Sequence, residues 1–149
     1  EYGWRYFLQP MISEKIGKRK GCIILGCIWA FWHLPLCFFY TTPQDILLNF
    51  SGQLITCVSL AVFFGYVFIN TENIWIVAFL HAMNNIYSTI LGGLSNLTVN
   101  GSWEFIWFTL VVNSICFMPV IFSKSFRETS VSEVNLAKKQ SPKFSLWKK

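Results

Sequence analysis

Charged residues are scarce in this chain, and their absence from four long stretches is its most informative feature. Asp, Glu, Lys and Arg make up 13% of the 149 residues, against about a quarter in an ordinary soluble domain. None of these four residue types occurs in residues 21–44, 46–71, 73–103 or 105–123. Each stretch is long enough for a helix to cross a hydrocarbon core roughly 30 Å thick, which takes about 20 residues. This distribution excludes an ordinary soluble domain and indicates a membrane protein.

The stretches also lack the apolar and polar alternation over about ten residues that is typical of a membrane β-strand. Because backbone groups inside a bilayer must bond internally, helices are the remaining structure. We therefore predict an all-α, polytopic transmembrane helix bundle. It has four complete spans, at about 21–40, 52–69, 74–91 and 103–122, plus the end of an earlier helix at residues 1 to about 13. The chain does not begin with Met, and we expect it to be an N-terminally truncated fragment.

Two sequence motifs that bind metals or carry out redox chemistry, CxxC and HExxH, are missing from the chain. None of the five cysteines forms a CxxC pair, and all five lie in or at the edges of apolar stretches. A free cysteine there packs as a small apolar side chain between helices, so we interpret these cysteines as structural. The HExxH pattern of zinc metalloproteases is also absent.

Basic residues are concentrated in two segments, and these set the predicted orientation. Residues 14–20, which we predict to be a loop between helices, contain four Lys or Arg. Residues 124–149 contain seven against two Glu, which accounts for the whole net charge of +5. The positive-inside rule places both segments in the cytoplasm, so the C-terminus is cytoplasmic. We predict a membrane-embedded core at residues 1–123 and a basic, disordered tail at residues 124–149. This tail has too little apolar surface to fold alone and lies near anionic lipid rather than binding nucleic acid.

The only two histidines lie inside apolar stretches, where an ionisable side chain is costly. His33 follows Lys20 by 13 residues, roughly 20 Å along a helix at about 1.5 Å per residue. His81 follows Asn73 by eight residues, roughly 12 Å on the same scale. Such groups usually face a bundle interior or a water-filled cavity.

Two further pairs have the spacing of one helical turn. Glu1 and Arg5 are four residues apart, as are His81 and Asn85, so each pair shares a helix face. Taken singly, a histidine can simply bond a neighbouring helix, Glu1 and Arg5 can be an ordinary ion pair, and His81 with Asn85 can hold helices together. Taken together, these groups are the ones needed to activate a water and hold an oxyanion. We expect all five side chains to line one cytoplasm-facing cavity.

Three short motifs carry a family resemblance. Glu-Tyr-Gly-Trp-Arg (1–5), Trp-Ala-Phe-Trp-His-Leu-Pro (29–35) and His-Ala-Met-Asn-Asn (81–85) stand in order on successive apolar segments. They resemble the motifs of the CAAX protease and bacteriocin-processing family (CPBP, or Abi), intramembrane endopeptidases that include the Ras-converting enzyme. The family's second motif normally has Phe four residues before its histidine, where this chain has Trp29. Its first motif has two adjacent glutamates, of which Glu1 matches the second.

The resemblance implies a role for each matched residue. His33, with a glutamate preceding Glu1, would bind and deprotonate the attacking water. His81 and Asn85 would donate to the tetrahedral oxyanion. Arg5 would orient the glutamates, and Glu1 would support that network or share the base role.

A metal is a rival to this scheme, because Glu1, His33 and His81 could hold zinc with an open position for water. We favour metal-free water activation with no cofactor, since an amide stands at Asn85 where a metalloprotease has a second strong ligand. A Ser or Cys nucleophile is less favoured, because none adjoins either histidine in sequence.

The resemblance implies an integral, multi-pass membrane enzyme that hydrolyses membrane-associated peptide or protein substrates. These substrates would be CAAX-type or related to bacteriocins and immunity. The alternative is a non-catalytic immunity or scaffold protein on the same fold. A transporter fragment would show paired broken helices or inverted repeats, and neither is visible in the sequence.

Overall fold

The computed structural model describes residues 1–95 and 103–127, which form helices joined by short turns and contain no strand. The elements are a π-helical turn at Tyr2–Leu8, followed by α1 (Gln9–Ile16), α2 (Lys18–Tyr40), α3 (Ile46–Thr71), α4 (Ile74–Ser95) and α5 (Trp103–Cys116). Two short 3₁₀ helices, Met118–Phe122 and Lys124–Phe126, follow α5. The predicted all-α class is confirmed.

A single residue separates α1 from α2. Gly17 has φ 86° and ψ 155°, an extended conformation with positive φ that a residue without Cβ adopts at little cost. The basic segment at residues 14–20 is therefore not the loop that we expected. Its Lys and Arg residues lie in the last turn of α1 and the first turn of α2, because good helix formers on either side of the glycine extend both helices.

Helices α2 and α3 form the core of the described part of the chain, and small residues let them approach closely. At Gly26, a Cβ would lie 2.6 Å from the Cα of Val58 and 3.0 Å from the Cβ of Ala61. Close approach through Gly and Ala is how helices associate when lipid removes the hydrophobic driving force. The buried side chains around this contact include Trp29, Ala30, Cys57, Leu60, Ala61, Phe64 and Val77.

The turn between α3 and α4 is tight and capped. Helix α3 ends at Thr71, and Glu72 takes the left-handed conformation with φ 50°. The Oδ1 of Asn73 then accepts a hydrogen bond of 2.9 Å from the N–H of Trp75, which caps the first turn of α4. This turn fixes where α4, with His81 on it, begins.

The chain after α5 folds back onto α2 and α3. Phe126 is fully buried and packs in a cluster with Cys22 and Val62. The hydroxyl of Ser125 donates to Asn70 Oδ1 at 2.7 Å, and Lys18 Nζ donates to the carbonyl of Ser125 at 3.5 Å. Packing thus continues as far as Phe126, the third residue of the predicted tail. Residues 128–149, where most of the predicted tail falls, lie outside the described residues, and its disorder stays a prediction.

Two of the four predicted spans meet the length and hydropathy expected of a membrane-crossing helix. These lie in α2 and α3, over Lys18–Phe39 and Ile46–Thr71. The apolar parts found in α4 and α5, Ile74–Ile86 and Ile106–Cys116, are shorter. The other two complete spans therefore stay predictions, and the predicted loop between them lies partly outside the described residues, at 96–102.

Large apolar side chains face outward along the first of these spans. Phe31, Trp32 and Phe39 are 59%, 65% and 82% exposed. A soluble monomer rarely exposes such a continuous apolar face, so this surface is suited to contact with lipid.

Candidate active site

The π-helical turn directs Glu1 and Arg5 into the bundle. The N–H of Arg5 bonds the carbonyl of Glu1 at 2.8 Å, and the N–H of Gln9 bonds the carbonyl of Trp4, five residues back. Single π-helical turns of this kind are frequent at functional sites. Arg5 is 1% exposed, so its guanidinium is as buried as a core side chain.

The carboxylate of Glu1 joins two helical segments that are far apart in sequence. Its Oε2 lies 2.9 Å from Arg5 Nε, and its Oε1 lies 2.5 Å from His81 Nδ1. The side chains of Glu1 and Arg5 are 2% and 1% exposed, and that of His81 is 23% exposed. The contact with Arg5 is an ion pair by distance, and the contact with His81 is one when the imidazole is protonated. Neither oxygen has the angles of a well-formed hydrogen bond. With Nδ1 against Glu1, Nε2 is the nitrogen of His81 that is left for a substrate.

His33 is oriented by its own helix. Its Nδ1 lies 2.8 Å from the carbonyl oxygen of Trp29, one turn earlier on α2. A carbonyl only accepts hydrogen bonds, so Nδ1 carries the proton and a neutral ring has its lone pair on Nε2. Nε2 is therefore the atom able to accept a proton from water.

Helix packing brings a cysteine near this histidine. Cys57 Sγ on α3 lies 4.0 Å from His33 Nδ1 and accepts a hydrogen bond of 3.2 Å from Gln53 Nε2. A base for a thiol nucleophile needs a free lone pair. Because Nδ1 donates to the Trp29 carbonyl, it has no lone pair to offer, and this contact does not make a Cys–His nucleophile.

Trp29 connects the two histidines. Its ring centroid lies 5.1 Å from that of His81 in an edge-on contact and 5.7 Å from that of His33. Both histidines are half-buried around this one indole rather than on opposite outer faces. Arg5 Cζ, from the π-helical turn, lies 5.6 Å from the same ring centroid. Residues from the π-helical turn, α2 and α4 thus meet at Trp29.

The remaining predicted site residue lies at the outer side of this group. Asn85 is exposed and stands one turn beyond His81 on α4, while Asn84 is half-buried. The structure therefore assembles Glu1, Arg5 and His81 in direct contact and His33 next to them through Trp29. The predicted common cavity and the catalytic roles of all five residues stay predictions.

The zinc alternative requires Glu1, His33 and His81 to converge on one ion. Among residues 1–95 and 103–127, no three His, Cys, Asp or Glu side chains are grouped as metal ligands. The described residues thus do not fit a preassembled zinc site.

Two residues near Arg5 were not predicted from the sequence. One contacts the guanidinium from α3, and the other follows Arg5 on the same helix face. Phe64 on α3 has its ring centroid 5.5 Å from Arg5 Cζ. Gln9 is 3% exposed, and its amide lies beside Gly65. The four-residue spacing from Glu1 through Arg5 to Gln9 is a signal that could have found Gln9. No sequence pattern distinguishes Phe64 among the 15 phenylalanines.

Comparison with known proteins identifies one family. Residues 1–87 match the family model described as type II CAAX prenyl endopeptidase Rce1-like. This match covers more than half of the chain and includes all three motifs. Neither the comparison with curated proteins nor the comparison with solved structures returned a match.

Proposed function

This chain belongs to the Rce1-like family of type II CAAX prenyl endopeptidases, and on that premise we propose that it is an active intramembrane endopeptidase. The family is a protease family, and with two long apolar helices it indicates an integral membrane protein. The proposed substrates are membrane-associated proteins or peptides with a CAAX-type C-terminus. The proposed chemistry is hydrolysis of a peptide bond by an activated water, without a cofactor.

One observation carries this proposal, the buried carboxylate of Glu1 held between Arg5 Nε and His81 Nδ1. Burying a carboxylate and a guanidinium together is costly even when they are paired. An ordinary surface ion pair contributes only about 0–1 kcal/mol. A buried pair that also contacts a histidine is the arrangement expected of a site that manages charge during a reaction.

The proposed reaction begins with the attacking water. His33 Nε2 accepts one proton from the water, Glu1 supports the network or shares this role, and the hydroxide oxygen bonds to the scissile carbonyl carbon. The carbonyl π electrons move to oxygen, and this oxyanion accepts hydrogen bonds from a protonated His81 Nε2 and from the Asn85 amide. Collapse breaks the C–N bond, and the proton held by His33 passes to the leaving amine. Arg5 orients Glu1 throughout.

The test is hydrolysis of a prenylated CAAX peptide by the protein in liposomes. Wild type is compared with His33→Ala and His81→Ala, each with and without a chelator. Trp75→Ala is the matched control, because Trp75 is 79% exposed and lies in the first turn of the helix that carries His81.

We expect the wild type and Trp75→Ala to cleave, and each histidine variant to lose at least about 10²-fold in rate. Equal cleavage by all four proteins would remove the proposed mechanism. Loss of cleavage on chelation would replace metal-free chemistry with the zinc alternative. A folded wild type that does not hydrolyse the peptide would favour the alternative, a non-catalytic immunity or scaffold protein.

A further inference from the structure

The Arg5 guanidinium lies between two aromatic rings. Its Cζ is 5.6 Å from the ring centroid of Trp29 on α2 and 5.5 Å from that of Phe64 on α3. Trp29 and Phe64 are 4% and 1% exposed, and their centroids are 6.3 Å apart. A cation within about 6 Å of a ring centroid is attracted by the quadrupole of the ring. Both rings meet that condition.

Arg5 has little other compensation for its burial. Glu1 is its one ion-pair partner in the described part of the chain, and its Nη1 is a buried atom with no hydrogen-bond partner there. Burying a guanidinium without compensation is very costly. The planar guanidinium also stacks on aromatic faces in a way that an ammonium does not. Among the described residues, the two rings are therefore the groups that offset the missing hydrogen bonds.

The same two rings also contact the histidine that Glu1 engages. The centroid of His81 lies 5.1 Å from Trp29 and 5.8 Å from Phe64. A shift of either ring therefore moves Arg5 and His81 together, on both sides of the Glu1 carboxylate. This links the α2–α3 packing to the proposed active site.

We propose that Trp29 and Phe64 form an aromatic clamp that holds the Arg5 guanidinium, and thereby positions Glu1. Both are positioning residues, since they act on the reaction through Arg5. The consequence for catalysis rests on the proposed function, whereas the clamp itself does not. The alternative is that both rings only fill the core, in which case their loss would be independent of Arg5.

A double-mutant cycle on unfolding separates these two readings without needing activity. The four proteins are wild type, Phe64→Leu, Arg5→Met and the double variant, unfolded in detergent micelles. A packing loss at Phe64 appears in both backgrounds and cancels in the cycle. If Phe64 holds the cation, its replacement changes the unfolding equilibrium constant at least about fivefold less in the Arg5→Met background.

Phe63→Leu is the matched control for this cycle. Phe63 neighbours Phe64 on α3, but its ring contacts Phe117 and Phe64 and is not among the rings over Arg5. We expect its effect to be the same in both backgrounds. Additive effects for Phe64 as well as Phe63 would overturn the clamp.

A second experiment measures what the clamp does for hydrolysis. Trp29→Phe retains an aromatic face and Trp29→Leu does not. Trp29→Leu is expected to lower kcat roughly 5- to 30-fold with little change in KM, and Trp29→Phe to restore most of it. If both variants lose kcat equally, or if KM rises while kcat is unchanged, Trp29 does not act through Arg5. If wild type itself is inactive while the unfolding cycle shows coupling, the proposed function fails and the clamp stands.

Discussion

Gly26→Ala tests whether the close approach of α2 and α3 sets the geometry of the site. The added Cβ would lie 2.6 Å from Val58 Cα, 3.0 Å from Ala61 Cβ and 3.1 Å from the Cys57 carbonyl oxygen. Carbon atoms are in favourable contact at about 3.5–4.0 Å, so the two helices must separate by roughly 1 Å. The nearest atom is backbone, so no side-chain rotation relieves the clash.

The expected magnitude follows from two opposing terms. Overpacking a core with one methyl group costs about 1–3 kcal/mol, and replacing a helical Gly by Ala returns up to about 1 kcal/mol. Because the clash is with backbone, the overpacking cost falls in the upper part of its range, about 2–3 kcal/mol, and the net expectation is a stability loss of about 1–2 kcal/mol. Because His33 and Trp29 are on α2 while Phe64 is on α3, a separation of about 1 Å also lowers kcat, by up to about 10²-fold.

Thermal unfolding in detergent and peptide hydrolysis in liposomes measure these two effects. Gly3→Ala is the matched control, because nothing lies within 4 Å of a Cβ at that position. It should be neutral or slightly stabilising in the same assays. A Gly26→Ala protein that matches wild type in both stability and kcat would refute the packing argument.

Three further substitutions test separate parts of the account. Asn85→Ala should lower kcat about 10²–10³-fold if its amide holds the oxyanion, and an unchanged hydrolysis rate would remove that role. Phe126→Ala should cost about 3–5 kcal/mol in thermal unfolding, since Phe126 is fully buried beside Cys22 and Val62; a loss below about 1 kcal/mol would show that the segment after α5 is not docked. Asn73→Ala should cost about 1 kcal/mol by removing the cap of α4, whereas Asn73→Ser should retain most of the stability.

The helical class and the Glu1–Arg5 contact could be predicted because both depend on local sequence. Long stretches without charge and without strand-like alternation leave helices as the structure for a membrane segment. A four-residue spacing places two side chains on one helix face whatever the rest of the fold does. The structure accordingly has Arg5 Nε 2.9 Å from Glu1 Oε2.

The contacts between helices could not be predicted in the same way. His81 Nδ1 meets Glu1 Oε1 across 80 positions of sequence, and Cys57 approaches His33 from another helix. These contacts depend on how α2, α3 and α4 pack, which their separate patterns do not encode. The role of Trp29 was hidden for the same reason. In the sequence, Trp29 differs from the family's Phe only as one aromatic residue differs from another. In the structure, Trp29 contacts His33, His81 and Arg5, at the centre of the site.

Element ends were predicted least well. We expected a loop at residues 14–20, but helix formers continue on both sides of Gly17. One glycine with φ 86° was enough for the whole change of direction. The three motifs that carry the family resemblance do not include Gly17. They therefore could not predict how α1 and α2 join, which depends on the backbone of that residue.

The most direct test of the central claim is whether Glu1 and His81 act as one unit. The measurement is kcat for Glu1→Gln, His81→Ala and the double variant, in liposomes with a prenylated CAAX peptide. Residues that act as a unit are grossly non-additive, so each single variant should lose at least about 10²-fold and the double should be little slower than the slower single. Losses that multiply, or wild-type hydrolysis by His81→Ala, would contradict the account.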